Sequence, residues 1–171
     1  MKMMDRLELI RKIVDDIVRQ QTDHAERRCG FVHLYGVSAI CVLLALKRGL
    51  DPHICGIAGM LHDISSYKTG DPTDHARLSA REAETILQGT GQFTATEIGE
   101  ICTAIAQHRA KAEVDGQLSE LLKDADVVQH YLYNPMLPEN PALKWEQRLH
   151  SALFELGLHV SATHLVNRAK K

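Results

Sequence analysis

Histidines and aspartates that could hold metal ions occur at separated points along this sequence. They are His33, the dipeptide His62-Asp63, His75, His108 and the pair Asp124 and Asp126. Imidazole nitrogens and carboxylate oxygens together suit borderline or hard divalent ions such as Mn, Fe, Ni, Co or Zn. The four cysteines contain no Cys-x-x-Cys pair, which argues against a structural zinc site. The pattern predicts a metal centre assembled from side chains that are distant in the chain.

The dipeptide His62-Asp63 follows an apolar stretch at the predicted end of a helix. Within a helix, neighbouring side chains diverge by about 100° and do not easily reach one ion. At a helix terminus the backbone can turn, so two consecutive side chains can converge. The position of the dipeptide therefore favours a ligand site.

Helices must position these residues, because the apolar periodicity is helical almost throughout. Met3, Leu7, Ile10, Val14 and Ile17, for example, form one stripe. Thr73 is the expected cap of the fourth helix, and Thr94 with Glu97 matches a capping box for the fifth. We expect a loop over 65–73 and helices over about 3–20, 33–51, 52–63, 73–88, 95–111, 117–132, 142–156 and 160–169. The prediction is an all-α bundle of about seven to eight helices, with metal ligands facing inward from several of them.

Composition indicates a single globular domain over residues 1–171. The chain is 44% hydrophobic and 25% charged, and domains commonly have about 100–200 residues. The net charge of −2 indicates no bulk attraction to nucleic acid or an anionic membrane. We also expect no membrane span, no signal peptide and reduced cysteines, which together favour a cytoplasmic location.

The sequence resembles the HD superfamily of metal-dependent phosphohydrolases, whose signature is H…HD…D on an all-α scaffold. Residues 29–66 are similar to its histidine, apolar helix and His-Asp ending, and residues 121–129, LLKDADVVQ, to its closing aspartate helix. The resemblance covers about residues 20–133. It implies His33, His62, Asp63 and Asp126 as ligands, with Asp124 as a candidate partner of a metal-bound histidine.

A subset of that superfamily holds two metals and has two further histidines between the HD pair and the last aspartate. His75 and His108 stand where those histidines would be, which implies a binuclear site with Asp63 as the bridging, catalytic carboxylate. Such ions lie about 3.5–4 Å apart and activate a shared water as hydroxide. The alternative is a single ion, with His75 and His108 binding phosphate or serving the structure.

The resemblance implies hydrolysis of a phosphate ester or anhydride, with a nucleotide or dinucleotide as the expected small-molecule substrate. Lys68, Arg109 and Lys123 are candidate phosphate contacts, although such side chains are often only solvated. Two other functions remain open: a di-iron oxygenase that uses the same ligands, and a non-catalytic nucleotide sensor. The full ligand set weakens the sensor alternative.

The C-terminal segment, about 134–171, lies beyond the resemblance. Its helices over 142–169 are expected to pack on the HD core. Trp145, Leu149, Leu153 and Leu156 form an apolar face that either closes the core or makes a homodimer interface. Five further histidines are expected to be ordinary surface or helix-end residues and are assigned no role: His53, His130, His150, His159 and His164.

Overall fold

The computed structural model describes residues 5–133 and 143–158. Within these ranges the chain forms helices and no strand, so the predicted all-α class is confirmed. The helices are α1 (Arg6–Arg19), α2 (His24–Arg48), α3 (Pro52–Leu61), α4 (Ile64–Thr69), α5 (His75–Thr90), α6 (Ala95–Gln107), α7 (Gln117–Tyr133) and α8 (Leu143–Glu155). The helix expected over 160–169 lies outside the described residues.

Local sequence signals begin and end several of these helices. Asp51 caps α3 through the backbone nitrogens of His53 and Ile54, directly before Pro52. Gly49 ends α2 in the left-handed conformation, with φ of 67°. The predicted capping box of Thr94 is present at the start of α6. These signals fix where α2 ends and where α3 and α6 begin.

Several helices differ from the prediction in their boundaries or presence. α2 begins at His24 rather than near 33, so His33 lies inside a long helix. The expected loop over 65–73 contains the short helix α4, because Ile64 and Ser65 are buried against the core despite the polar composition. Asp74, not Thr73, precedes α5, and it has a positive φ of 52°.

The centre of the fold is the contact between α2 and α3. The inner face of α2 buries Leu34, Val37 and Cys41 completely. Ser38 Oγ donates to the backbone oxygen of Gly56, with a distance of 2.8 Å. The two helices can approach closely because Gly56 and Gly59 on α3 have no side chain. This approach places the end of α3 beside the middle of α2.

By length and composition alone, α2 could cross a membrane, contrary to the expectation that no segment would. An 18-residue window in this helix has a mean hydropathy of 2.1. Its apolar character has a second explanation, since residues on one face of α2 form the core against α1, α3 and α7. We therefore treat α2 as a core helix.

The apolar face predicted near the C-terminus packs on the preceding helix. Leu149, Ala152 and Leu153 of α8 are buried in a cluster with Val127 and Val128 of α7. This face closes a second, smaller core, which agrees with the first of its two predicted roles. A homodimer stays a prediction.

Candidate metal centre

Four helices and the turn after α3 bring all six predicted metal ligands together. His33 comes from the middle of α2, and His62 and Asp63 form the turn between α3 and α4. His75 is the first residue of α5, His108 follows the last residue of α6, and Asp126 lies inside α7. The turn lets His62 and Asp63 converge, with Nε2 and Oδ2 3.5 Å apart.

The Asp63 carboxylate lies between two pairs of histidines. Its Oδ2 is 3.4 Å from His33 Nε2 and 3.5 Å from His62 Nε2. Its Oδ1 is 3.5 Å from His75 Nε2 and 3.3 Å from His108 Nε2. Each oxygen of one carboxylate thus faces its own histidine pair, as a ligand shared by two ions would.

Asp126 completes one side of this arrangement. Its Oδ1 is 3.6 Å from His33 Nε2 and 3.8 Å from His62 Nε2, and these two nitrogens are 3.0 Å apart. We call His33, His62 and Asp126 the first ligand group, and His75 and His108 the second. Asp63 contacts both groups.

Each of the four imidazoles is anchored through its other nitrogen. Every Nδ1 lies 2.7–2.8 Å from an oxygen atom. The partner of His33 is Gln129 Oε1, and the partners of the other three are backbone oxygens: Gly59 for His62, Pro72 for His75 and Ile105 for His108. Because a carbonyl oxygen only accepts, Nδ1 carries the hydrogen and Nε2 of the neutral ring has a free lone pair. A hydrogen bond at one imidazole nitrogen commonly orients the other toward a metal.

This arrangement of acceptors fits a bound cation. The Nε2 lone pairs of His33 and His62 face each other and two carboxylates. Asp63 Oδ1 and Asp126 Oδ1 are buried and have no hydrogen-bond partner among the described residues. A buried acceptor without a partner is costly, typically by about 1–3 kcal/mol, whereas a divalent ion would satisfy all of these atoms. Two sets of ligand atoms are compact enough for one ion each, because the atoms within each set lie within 4.8 Å of one another. The sets are His33, His62 and Asp126, and His62, Asp63 and His108.

The protonation states also suit metal binding. Burial lowers the pKa of His62 to about 3, so its ring is neutral at physiological pH. Burial alone would raise the pKa of Asp63, but His62 and His108 hold it well below its usual value. Burial likewise opposes a charge on His33, yet Asp63 and Asp126 raise its pKa. The two carboxylates therefore favour positive charge between them.

Three residues that sequence reasoning did not assign also belong to the site. Gln129 anchors His33, and the half-exposed His130, in the last turn of α7, has its Nε2 3.3 Å from Asp126 Oδ1. Their spacing from Asp126, three and four positions along α7, is a signal that could have found them. Lys111 Nζ donates to Asp126 Oδ2, and only its nearness to His108 in the sequence pointed to it.

Two predicted site residues lie elsewhere. Lys123 is fully buried and donates to Asp115, to Glu120 and to a backbone oxygen. These bonds use its three N–H groups, so it is not available to a phosphate. Asp124 accepts from Arg48 and Arg148 rather than from a metal-bound histidine. Both expectations are corrected: these two side chains join helices instead.

The other two predicted phosphate contacts are not brought to the cluster by any described contact. Lys68 pairs with Glu82 of α5 at 2.7 Å and is about half exposed. Arg109 is exposed in the turn after His108. Their roles stay predictions.

Comparison with known proteins identifies the class. The model of the HD domain family matches residues 30–131, and this chain belongs to that family. A crystal structure described as a predicted HD superfamily hydrolase, from an uncultured Thermotogales bacterium, shares its fold. The two are 24% identical, with 85% of this chain and 88% of that chain covered and a TM-score of 0.55. This chain thus combines the HD-domain fold with a cluster of histidines and aspartates that could hold metal ions.

Proposed function

We propose that this protein is a metal-dependent phosphohydrolase that cleaves a phosphate ester or anhydride of a nucleotide or dinucleotide. The observation that carries the proposal is the position of Asp63, whose two oxygens each face a separate histidine pair. The phosphate chemistry and the nucleotide rest on the resemblance to the HD phosphohydrolases. We further propose a small-molecule substrate and a cytoplasmic location, with which four free cysteines agree.

Each residue of the site has a distinct task in this proposal. The first ligand group and Asp63 would hold one ion, and the second group and Asp63 the other. Bound divalent ions supply Lewis acidity, which lowers the pKa of water and neutralises charge on a phosphoryl group. The anchors at Nδ1 keep the lone pair of each ring pointing into the site, so little reorganisation is needed when ligand binds.

The site carries negative charge of its own, so it should attract an anionic substrate only when metal ions are bound. Asp63 and Asp126 are both ionised, since the pKa of each is held well below its usual value despite burial. Without cations, these carboxylates would repel a phosphate. Hydrolysis should therefore depend strictly on added or retained metal.

The test is hydrolysis of a substrate panel by the purified chain. The panel contains mononucleotides, dinucleoside polyphosphates, cyclic dinucleotides and generic phosphoesters, each with Mn, Co, Ni or Mg. Asp63→Asn removes the shared charge at nearly constant size, and Asp16→Asn is the matched control, because Asp16 is exposed on α1. We expect turnover in the unaltered chain and in Asp16→Asn, with a loss of at least about 100-fold in Asp63→Asn.

Other outcomes of the same experiment identify the competing functions. Oxygen consumption by protein isolated with iron, together with silence on the phosphate panel, would replace the proposal with a di-iron oxygenase. Tight nucleotide binding without turnover, metal being present, would replace it with a sensor. Equal turnover by Asp63→Asn and the unaltered chain would refute the role of Asp63.

A further inference from the structure

Lys111 is a cation of the site that is not a metal ligand. It lies in the turn between α6 and α7, three residues after His108, and its side chain is only 17% exposed. Its ammonium donates to Asp126 Oδ2 at 2.5 Å and to the backbone oxygen of His108 at 2.8 Å. One side chain therefore joins residues of both ligand groups.

The contact with Asp126 decides which oxygen faces the histidines. Lys111 occupies Oδ2, whereas Oδ1 is the atom near His33 and His62 and has no hydrogen-bond partner among the described residues. Without the ammonium, the carboxylate could rotate about its terminal bond, since such torsions are broad. Lys111 holds Oδ2 while His130 Nε2 lies 3.3 Å from Oδ1, so the two contacts together favour this orientation of Asp126.

The contact with His108 fixes the second ligand group relative to the first. The backbone oxygen that Lys111 binds belongs to the residue whose Nε2 faces Asp63 Oδ1. His108 follows the last turn of α6, where backbone carbonyls lack helical partners. A hydrogen bond there therefore restrains the end of the helix that carries the ligand.

Lys111 is itself held by α8. Its backbone oxygen accepts from Arg148 Nη2 at 3.1 Å and from Nε at 3.3 Å. The same guanidinium pairs with Glu120 at 2.9 Å and Asp124 at 2.7 Å, both on α7. The turn that carries Lys111 is thereby fixed against α7, the helix of Asp126.

We propose that Lys111 is a positioning residue that sets the geometry of the metal centre by fixing Asp126 and His108 relative to each other. The inference rests on the proposed binding of metal and is independent of which substrate is cleaved. Loss of a group that orients a metal ligand typically costs about 10- to 100-fold in metal affinity or activity. A lysine with only a structural role would change stability and leave the ligand field alone.

The experiment is Co²⁺ titration of the full chain, followed by its visible absorption spectrum, for Lys111→Met and Lys111→Arg. The spectrum reports the ligand geometry and needs no substrate. The control is Lys12→Met, which removes an exposed lysine of α1. We expect Lys111→Met to bind Co²⁺ about 10- to 100-fold more weakly with a shifted spectrum, and Lys111→Arg to recover part of the affinity. The control should match the unaltered chain.

Two results overturn the proposal in distinguishable ways. If the unaltered chain binds Co²⁺ and Lys111→Met does so with the same affinity and spectrum, the positioning role is refuted, whatever its effect on unfolding. If the unaltered chain binds no Co²⁺, Mn²⁺ or Ni²⁺, the proposed function fails and this role fails with it. Should Lys111→Met not fold, Lys111→Gln, which keeps a polar donor without the charge, provides the same comparison.

Discussion

Gly59 of α3 lies so close to Ser38 of α2 that the two helices meet backbone to backbone. A Cβ placed at Gly59 would be 2.7 Å from Ser38 Cα and 2.9 Å from its nitrogen. His33 lies on the same helix as Ser38, and His62 directly follows α3, the helix of Gly59. The Nε2 atoms of the two histidines are 3.0 Å apart. The separation of the helices therefore sets the spacing of two predicted ligands.

Substitution of Gly59 by alanine should disturb both stability and metal binding. The added methyl group meets backbone, which cannot give way as a flexible side chain does, so α3 must shift. Overpacking of this kind typically costs about 1–3 kcal/mol. We expect the free energy of unfolding, measured with urea, to fall by an amount in that range. Because the shift moves His62 away from His33, Co²⁺ affinity should fall as well.

Gly89→Ala is the matched control for this substitution. Gly89 lies in α5, and a methyl group added there would have no neighbouring side chain within 4 Å. There alanine should stabilise the chain by about 0.5–1 kcal/mol through its higher helix propensity. A Gly59→Ala protein as stable as the unaltered chain, with unchanged Co²⁺ affinity, would show that the close helix contact does not set the site.

The six ligands could be predicted from sequence because the His-Asp pair and the closing aspartate segment carry the resemblance to the HD superfamily, and the other histidines follow from their positions relative to these segments. His62-Asp63 ends an apolar helix, and Asp126 stands within the Asp-Ala-Asp segment of another. The structure brings these residues together, although their metal binding stays a prediction. The all-α class was equally accessible, because apolar periodicity records which face of each helix is buried.

The partners of the ligands were not accessible in the same way, because they depend on how helices rotate against one another. Asp124 is two residues from Asp126, a rotation of about 200°, so the two carboxylates point to opposite sides of α7. Asp124 consequently meets Arg48 and Arg148, while Asp126 meets the histidines. Lys111 reaches Asp126 only because the turn before α7 folds back, and no local pattern records that.

His75 should hold only the second of two ions. Its Nε2 faces Asp63 Oδ1, and it belongs to the second ligand group, in which His108 is the other histidine. His75→Ala should therefore reduce the metal content from two ions per chain toward one, because the first ligand group stays complete. Elemental analysis after dialysis measures the ratio directly.

The control for His75 is His53→Ala, since His53 is exposed at the start of α3 and makes only a weak contact with Asp5. It should retain the metal content of the unaltered chain. Two ions retained by His75→Ala would remove this histidine from the ligand set and favour the single-site alternative for its role.

Docking of α8 should weaken in acid, and Trp145 should report it. Glu155 on this helix accepts from Arg48 of α2, which holds the pKa of Glu155 below its usual value. A carboxylate with a lowered pKa stabilises the folded state above its unfolded pKa, about 4.3 for glutamate, and loses that contribution as the pH falls through the folded pKa. Trp145 is the sole tryptophan and packs on the small core between α7 and α8. Its emission should stay constant from pH 7 to about 5 and shift to longer wavelength below about 4.3, as protonation weakens this contact of α8.

The control for this prediction is a second pair of variants. Glu155→Gln should show part of this shift at pH 7, whereas Glu84→Gln, on the exposed face of α5, should not. A Trp145 signal that is identical in Glu155→Gln and the unaltered chain across this range would show that the ion pair does not hold α8.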